Sequence, residues 1–187
     1  RYSSSAASDV YKRQGLIYLK NNFFDEAKNF FETALKINDR YIDSYNNLGA
    51  CLLELEKLDE AKKIFSSAYD LDKKNVSTLI NLANVLSLQD NIVGAVNHYN
   101  EALNLEPNNQ EIISNLAICY CRDSKEKEAK IFYDRAIKIN PYDYKLMYAY
   151  CTLQLKINNF DDSWELFDSR LLIEKNKEKL RNFDLIK

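Results

Sequence analysis

Three asparagines recur at one fixed interval and carry the most regular polar chemistry of the chain. Asn47, Asn81 and Asn115 are separated from one another by 34 residues. A primary amide offers both an acceptor and donors, so it can pair with the N–H and C=O of a peptide backbone without reading side chains. Asparagine is also only a middling helix former. Its return therefore indicates a role in hydrogen bonding, either to a bound peptide or to neighbouring helices.

The sequence does not contain the residue patterns of a catalytic or metal site. It has a single histidine, His98, with no glycine-rich phosphate loop and no nucleophile motif. Cys119 and Cys121 form a C-x-C pair whose side chains would point to opposite sides of a helix, which is a poor metal site. We therefore predict that this segment is not an enzyme, takes no cofactor and binds no metal.

The composition favours a soluble, cytoplasmic protein. Lys and Arg number 26 against 28 Asp and Glu, and the two signs are interspersed, so no basic stripe predicts a nucleic-acid or anionic-lipid partner. No apolar run approaches the roughly 20 residues that a membrane span needs. The four cysteines are predicted to be reduced thiols, as in a cytosolic protein.

The same interval governs small and aromatic residues, which predicts the helices that position the asparagines. These sets are Gly15, Gly49, Ala83, Ala117 and Cys151; Ala27, Ala61, Ala95, Ala129 and Ser163; Phe31, Phe65, Tyr99, Tyr133 and Phe167; and Ala34, Ala68, Ala102, Ala136 and Arg170. The last three sets are spaced by four and three residues, which places them on one helical face. The chain has only 3 Gly and 2 Pro, which predicts an all-α fold of helices joined by short polar links.

These residues resemble the tetratricopeptide repeat, which implies a right-handed α-solenoid of about five 34-residue helix-turn-helix units over residues 15–173. We predict the helix pairs 42–55 with 58–71, 76–89 with 92–105, 110–123 with 126–139, and 144–157 with 160–173. The predicted units are 15–41, 42–75, 76–109, 110–143 and 144–173. Residues 174–187 are predicted to form a capping helix or a linker.

The first fourteen residues, RYSSSAASDVYKRQ, differ in composition from all that follows. Their end, from Asp9 to Gln14, resembles the translation of an adapter used in sequencing libraries. We therefore predict that residues 1–14 are a non-native scar and exclude them from the predicted fold. The first helix pair would then be truncated at its start.

The resemblance implies that the first helix of each unit lines a concave groove, with the three asparagines in a row. Helices pack about 10 Å apart and an extended chain advances about 3.3–3.6 Å per residue, so one amide would meet every third peptide group. The other predicted groove residues are Asp43, Asn46, Ile80, Asn84, Ser114, Ile118 and Arg122. A carboxylate clamp is not favoured, because Ser77 and Asn81 occupy positions where it needs basic residues.

The row also resembles the asparagine ladder of O-linked N-acetylglucosamine transferases. Phe160, Trp164, Phe167 and Arg170 lie on one helical face and resemble an element found where bacterial tetratricopeptide repeats pass into a glycosyltransferase domain. The alternative is a solenoid end that packs on the preceding helices. We predict a module that binds a peptide or partner protein. The alternatives are the acceptor-recognition region of a glycosyltransferase whose catalytic domain lies beyond Lys187, and a structural scaffold that assembles through its ends.

Overall fold

The computed structural model describes residues 4–157, 159 and 163, and this part of the chain is helical throughout, without strands. The helices are α1 (Ser4–Lys20), α2 (Phe24–Ile37), α3 (Ile42–Glu54), α4 (Leu58–Leu71), α5 (Val76–Leu88), α6 (Ile92–Leu105), α7 (Gln110–Arg122), α8 (Glu126–Ile139) and α9 (Tyr144–Lys156). From α3 to α9 their bounds agree with the predicted bounds within one residue. The all-α fold class is therefore confirmed, whereas the predicted helix 160–173 and the segment 174–187 lie outside the described residues.

The helices fall into two compact units. The N-terminal unit, Arg1–Glu106, contains α1 to α6, and the C-terminal unit, Pro107–Lys187, contains α7 to α9. In the N-terminal unit α1 packs on α2, α3 on α4 and α5 on α6, while α2 contacts α3 and α4 contacts α5. In the C-terminal unit α7 packs on α8 and α8 contacts α9. Each helix therefore packs mainly on its neighbours in sequence, as a helical repeat requires.

The small and aromatic residues of the repeat form the core of each helix pair. Phe31 and Phe65 are fully buried, and so are the alanines that precede and follow each of them on α2 and α4. A Cβ on Gly49 would lie 2.3 Å from the Phe65 ring, and one on Gly15 would lie 2.7 Å from the Phe31 ring. The two helices of these pairs approach so closely that only glycine fits beneath the ring.

Each turn within a helix pair contains one residue with a positive φ. These residues are Asn22, Glu56, Asp90 and Ser124, with φ between 54° and 62°. The next residue closes the turn on the preceding helix, as when Lys57 N donates to Leu52 O at 2.8 Å. This is the hydrogen bond of a Schellman cap, which satisfies a carbonyl at the helix end.

Residues of the predicted scar form most of α1. Tyr41 donates its hydroxyl hydrogen to Asp9 Oδ1 at 2.8 Å, and this bond is the main cause that lowers the pKa of Asp9. Lys12 Nζ lies 3.3 Å from Asp43 Oδ2 and 5.0 Å from the centre of the Tyr41 ring. In the structure the first helix runs from Ser4 to Lys20 and so includes residues of this segment. The foreign origin of residues 1–14 stays a prediction, because a helix can form from residues of either origin.

The register predicts that Ala95 has no room for a larger side chain. It is fully buried on α6, so Ala95→Leu is expected to lower the free energy of unfolding by about 1–3 kcal/mol through overpacking. Urea unfolding followed by circular dichroism measures the change. Val93→Leu, on the exposed side of the same helix, is the control and should be nearly neutral. An Ala95→Leu protein as stable as the control would show that the register is wrong.

The contacts of α1 predict that residues 1–14 contribute to stability. Their removal leaves Gly15–Lys20, which is too short to hold a helix, and takes away Tyr11, whose ring centre lies 6.4 Å from that of Phe30. We expect the melting temperature to fall by about 4 °C or more, since roughly 2–4 °C corresponds to 1 kcal/mol at this chain length. Arg13→Ala, at an exposed position of α1, should leave it nearly unchanged. Equal melting temperatures for the truncated and full-length chains would contradict the packing of α1.

Candidate functional site

The predicted groove residues of the N-terminal unit lie on α3 and α5, which contact each other. Asn46 Oδ1 accepts hydrogen bonds from Thr78 Oγ1 at 3.1 Å and from Asn81 Nδ2 at 3.4 Å. Thr78 is itself held by Asn75, which caps the start of α5. One amide of the predicted row, that of Asn81, therefore bonds to the neighbouring helix, as the structural alternative expected.

Asn47 is the amide of this unit with the most hydrogen-bonding capacity left. Its side chain is partly exposed, and it makes no hydrogen bond to any residue that the structure describes. Asn81 is also partly exposed, and its long bond to Asn46 uses only one donor. Both amides can therefore present donors and acceptors to a ligand, Asn47 without losing a bond and Asn81 with some competition.

Other predicted groove residues of this unit are engaged within the protein. Asp43 is exposed but pairs with Lys12. Asn84 accepts a hydrogen bond from the Tyr99 hydroxyl. Ile80 is only 7% exposed, so it offers little surface to a ligand. These three residues do more for the packing of α1, α3, α5 and α6 than for an open groove.

In the C-terminal unit, Ser114 and Asn115 line a cavity of about 350 Å³. We call it the acceptor pocket, because every side chain that lines it carries a hydrogen-bond acceptor oxygen. The other lining residues are Gln110, Glu111, Asn140 and Asp143. Gln110 and Glu111 lie in the first turn of α7, while Asn140 and Asp143 belong to the link between α8 and α9. The volume lies at the lower end of the range for small-ligand sites.

The acceptor pocket has two carboxylates, and none of its six lining residues is cationic. Asp143 caps α9 by accepting from Leu146 N at 3.1 Å, and it also accepts from Gln110 Nε2 at 3.0 Å. Glu111 is exposed and forms no ion pair with any residue in the described part of the chain. Ser114 Oγ is buried and has no hydrogen-bond partner there. The pocket is therefore negatively charged and has one unmet polar group in its wall.

The two remaining predicted groove residues, Ile118 and Arg122, lie further along α7 and do not line the pocket. Both are exposed. Ile118 follows Ser114 and Asn115 on the same helical face at spacings of four and three, so it extends that face beyond the pocket.

Sequence reasoning missed four of the pocket residues. Glu111 shares a helical face with Ser114 and Asn115, so the period of the helix could have found it. Asn140 and Asp143 lie in the polar link that contains Pro141, outside the helical period from which the groove residues were predicted. Their approach to α7 depends on how α9 packs against the preceding pair, which periodicity does not encode.

In the described part of the chain, no group of three or more His, Cys, Asp or Glu side chains is arranged so that it could hold a metal ion. In the same part of the chain, the helices are too short or too polar to cross a bilayer.

Comparison with known proteins agrees with this architecture. Residues 5–74 match the sequence model of the tetratricopeptide repeat. PilF from Pseudomonas aeruginosa superposes with a TM-score of 0.82 over 89% of this chain and 76% of its own, at 21% identity. The described helices therefore have the fold of a tetratricopeptide-repeat array. The first helices of its repeats are α1, α3, α5, α7 and α9, so Asn47, Asn81 and Asn115 all lie on first helices.

Two further repeat structures are similar. MamA from Desulfovibrio magneticus RS-1 has a TM-score of 0.80 over 90% of this chain and 96% of its own, at 14% identity. YrrB, described as a tetratricopeptide-repeat protein with an unusual peptide-binding site, has a TM-score of 0.70 over 88% of this chain and 85% of its own, at 19% identity. At these identities the likeness concerns the fold. No curated protein sequence matches this chain.

Proposed function

We propose that this protein is an interaction module that binds an extended peptide segment of a partner protein along the first helices of its repeats. The observation that carries the proposal is the amide of Asn47, which is partly exposed on α3 and forms no hydrogen bond within the described residues. Asn81 and Asn115 recur at the same repeat position on α5 and α7. Amides that pair with peptide N–H and C=O groups bind a backbone whatever its side chains.

The proposed binding is weak and broad. Each net hydrogen bond contributes about 0.5–1.5 kcal/mol, so three amides supply a few kcal/mol before the cost of ordering the peptide. A dissociation constant of about 1 mM corresponds to about 4 kcal/mol. YrrB, a repeat protein of similar fold, is described as having a peptide-binding site, which supports the same class of ligand here.

We further infer a reducing compartment such as the cytoplasm. None of the four cysteines forms a disulfide within the described part of the chain, and Cys51, Cys119 and Cys151 are buried. Burial raises the pKa of the Cys51 thiol to about 11, so this cysteine is a packing residue rather than a reactive group. Free thiols are typical of proteins that do not leave the cytosol.

Peptide-array binding tests the proposal through three substitutions made together, Asn47→Ala, Asn81→Ala and Asn115→Ala. Wild type is expected to bind many unrelated peptides weakly. The triple variant should lose roughly tenfold or more in affinity, because each lost bond removes about 0.5–1.5 kcal/mol. Among single variants, Asn47→Ala should cost more than Asn81→Ala, since the Asn81 amide already bonds to Asn46.

The matched control carries Asn29→Ala, Asn97→Ala and Asn104→Ala, three exposed asparagines on second helices. It should bind like wild type. Equal binding by the test and control variants would mean that the amides serve only the solenoid, and the peptide groove would have to be abandoned.

The glycosyltransferase alternative stays a prediction. Phe160, Trp164, Phe167 and Arg170, which carry that resemblance, lie outside the described residues. Ser163, which stands where the element has glycine, is described and is buried, with its carbonyl accepting from Cys151 Sγ at 3.3 Å. This contact fits the ordinary packing of a repeat and favours no catalytic parent.

A second candidate function, assembly through the N-terminal edge, is favoured by the exposure of α1. Val10 and Ile17 are 51% and 62% exposed, whereas the residues at the same two positions of α3, α5, α7 and α9 are at most 5% exposed. Those buried residues are Ser44, Thr78, Ile112 and Leu146, and Cys51, Val85, Cys119 and Leu153. The exposed face of α1 therefore continues the packing pattern between repeats, and we propose that a second copy of this chain covers it.

Light scattering after size-exclusion chromatography tests this assembly over a range of concentrations. We expect a dimer that dissociates on dilution in the wild type. Ile17→Lys should be monomeric at every concentration, because it places a charge in an apolar contact. Val93→Lys makes the same change at an exposed position of α6 and should still dimerise. A wild type that stays monomeric at the highest concentration would refute assembly through this edge.

A further inference from the structure

We propose that the acceptor pocket of the C-terminal unit binds a lysine or arginine side chain of the partner peptide. This inference rests on the proposed peptide binding and adds a side-chain preference to it. Asn47 and Asn81 offer amides that suit any backbone, whereas the pocket formed by Gln110, Glu111, Ser114, Asn115, Asn140 and Asp143 adds charge and a concave surface. A backbone-reading surface alone would not distinguish one partner from another.

The charge of the pocket selects a cation. Glu111 and Asp143 are its two titratable residues, and none of the lining residues is basic. Asp143 is fixed in place because its two oxygens accept from Leu146 N and Gln110 Nε2. Glu111 has no cationic partner in the described chain, so its charge is available to a ligand. An anionic side chain would meet two like charges in the same space.

The hydrogen-bonding groups also select a donor. The side-chain oxygen of Asn140 accepts from Tyr142 N at 3.1 Å, which holds the link that forms one wall. Ser114, on α7, also lines the pocket, and its Oγ is buried without a hydrogen-bond partner among the described residues. A buried polar group without a partner is costly, and a side-chain N–H group brought in by a ligand would satisfy it after rotation of the serine χ1 between staggered positions.

The size of the pocket fits one side chain rather than a folded segment. Its volume of about 350 Å³ is at the bottom of the range for small-ligand sites. Lysine and arginine present several N–H donors at the end of a long apolar stem, so the head can reach the carboxylates while the stem lies along α7. Ile118, exposed on the same face of α7, continues this surface with an apolar side chain.

Nuclear magnetic resonance of the full chain tests the pocket separately from the peptide groove. The probes are Nα-acetyl-lysine methylamide and its norleucine analogue, which has the stem without the charge. The lysine probe is expected to shift the backbone amides of Glu111, Ser114, Asn115 and Asp143 in a saturable manner, and the norleucine probe is not. Equal shifts from both probes, or no shift from either, would overturn the proposal while leaving peptide binding by the asparagines untouched.

A variant pair then assigns the charge. Glu111→Gln keeps the shape and removes one carboxylate, so the lysine probe should bind roughly three- to tenfold more weakly. Glu128→Gln makes the same change at an exposed position on α8 of the same unit, and binding should be unchanged. On peptide arrays, wild type should prefer lysine or arginine over glutamine at one position, and Glu111→Gln should lose that preference but retain broad binding. Arrays with no bound peptide would instead refute the proposed function.

Discussion

The close approach of the two helices in each pair is the constraint on which the rest of the structure depends. Beneath the rings of Phe31 and Phe65 there is no room even for a methyl group, since a Cβ on Gly15 or Gly49 would lie within 3 Å of the ring. The flanking alanines of α2 and α4 are buried for the same reason. Once this distance is fixed, the opposite face of each first helix must point away from the pair, and that face carries the recurring asparagines.

Polar residues on the first helices serve two competing purposes. A solenoid has to hydrogen-bond the polar groups that come together between adjacent pairs, and Asn46 does this by accepting from Thr78 and Asn81. A binding surface needs the opposite, amides that remain unpaired until a ligand arrives. Asn47, one residue further along α3, points about 100° away around the helix and escapes that network. Neighbouring asparagines on one helix therefore differ, because Asn46 is bonded within the protein and Asn47 is the one that we propose to bind a ligand.

The sequence predicted the helices from α3 to α9 almost to the residue, because a strict period in small and aromatic residues leaves few alternative registers. The turns were less predictable. The same left-handed conformation occurs at Asn22, Glu56, Asp90 and Ser124. These residues are of four different types, so the sequence does not indicate the backbone conformation that the turns require. Asn22 and Asp90 belong to types that tolerate this conformation, whereas Glu56 adopts it because the helices on either side fix the turn.

The acceptor pocket was only partly predictable for a similar reason, because the helical period describes residues on helices and not residues in the links between them. Ser114 and Asn115 were found because they lie on one helix and periodicity alone places them on one face. Asn140 and Asp143 reach the acceptor pocket from a link, where the backbone follows the packing of α9 rather than a period of its own. Charge therefore enters this surface from two places, the link that carries Asp143 and the first turn of α7 that carries Glu111. If the proposed peptide binding holds, repeats in such an array can keep a common way of holding a peptide backbone and still change side-chain preference, because connecting segments vary in sequence more readily than the helices they join.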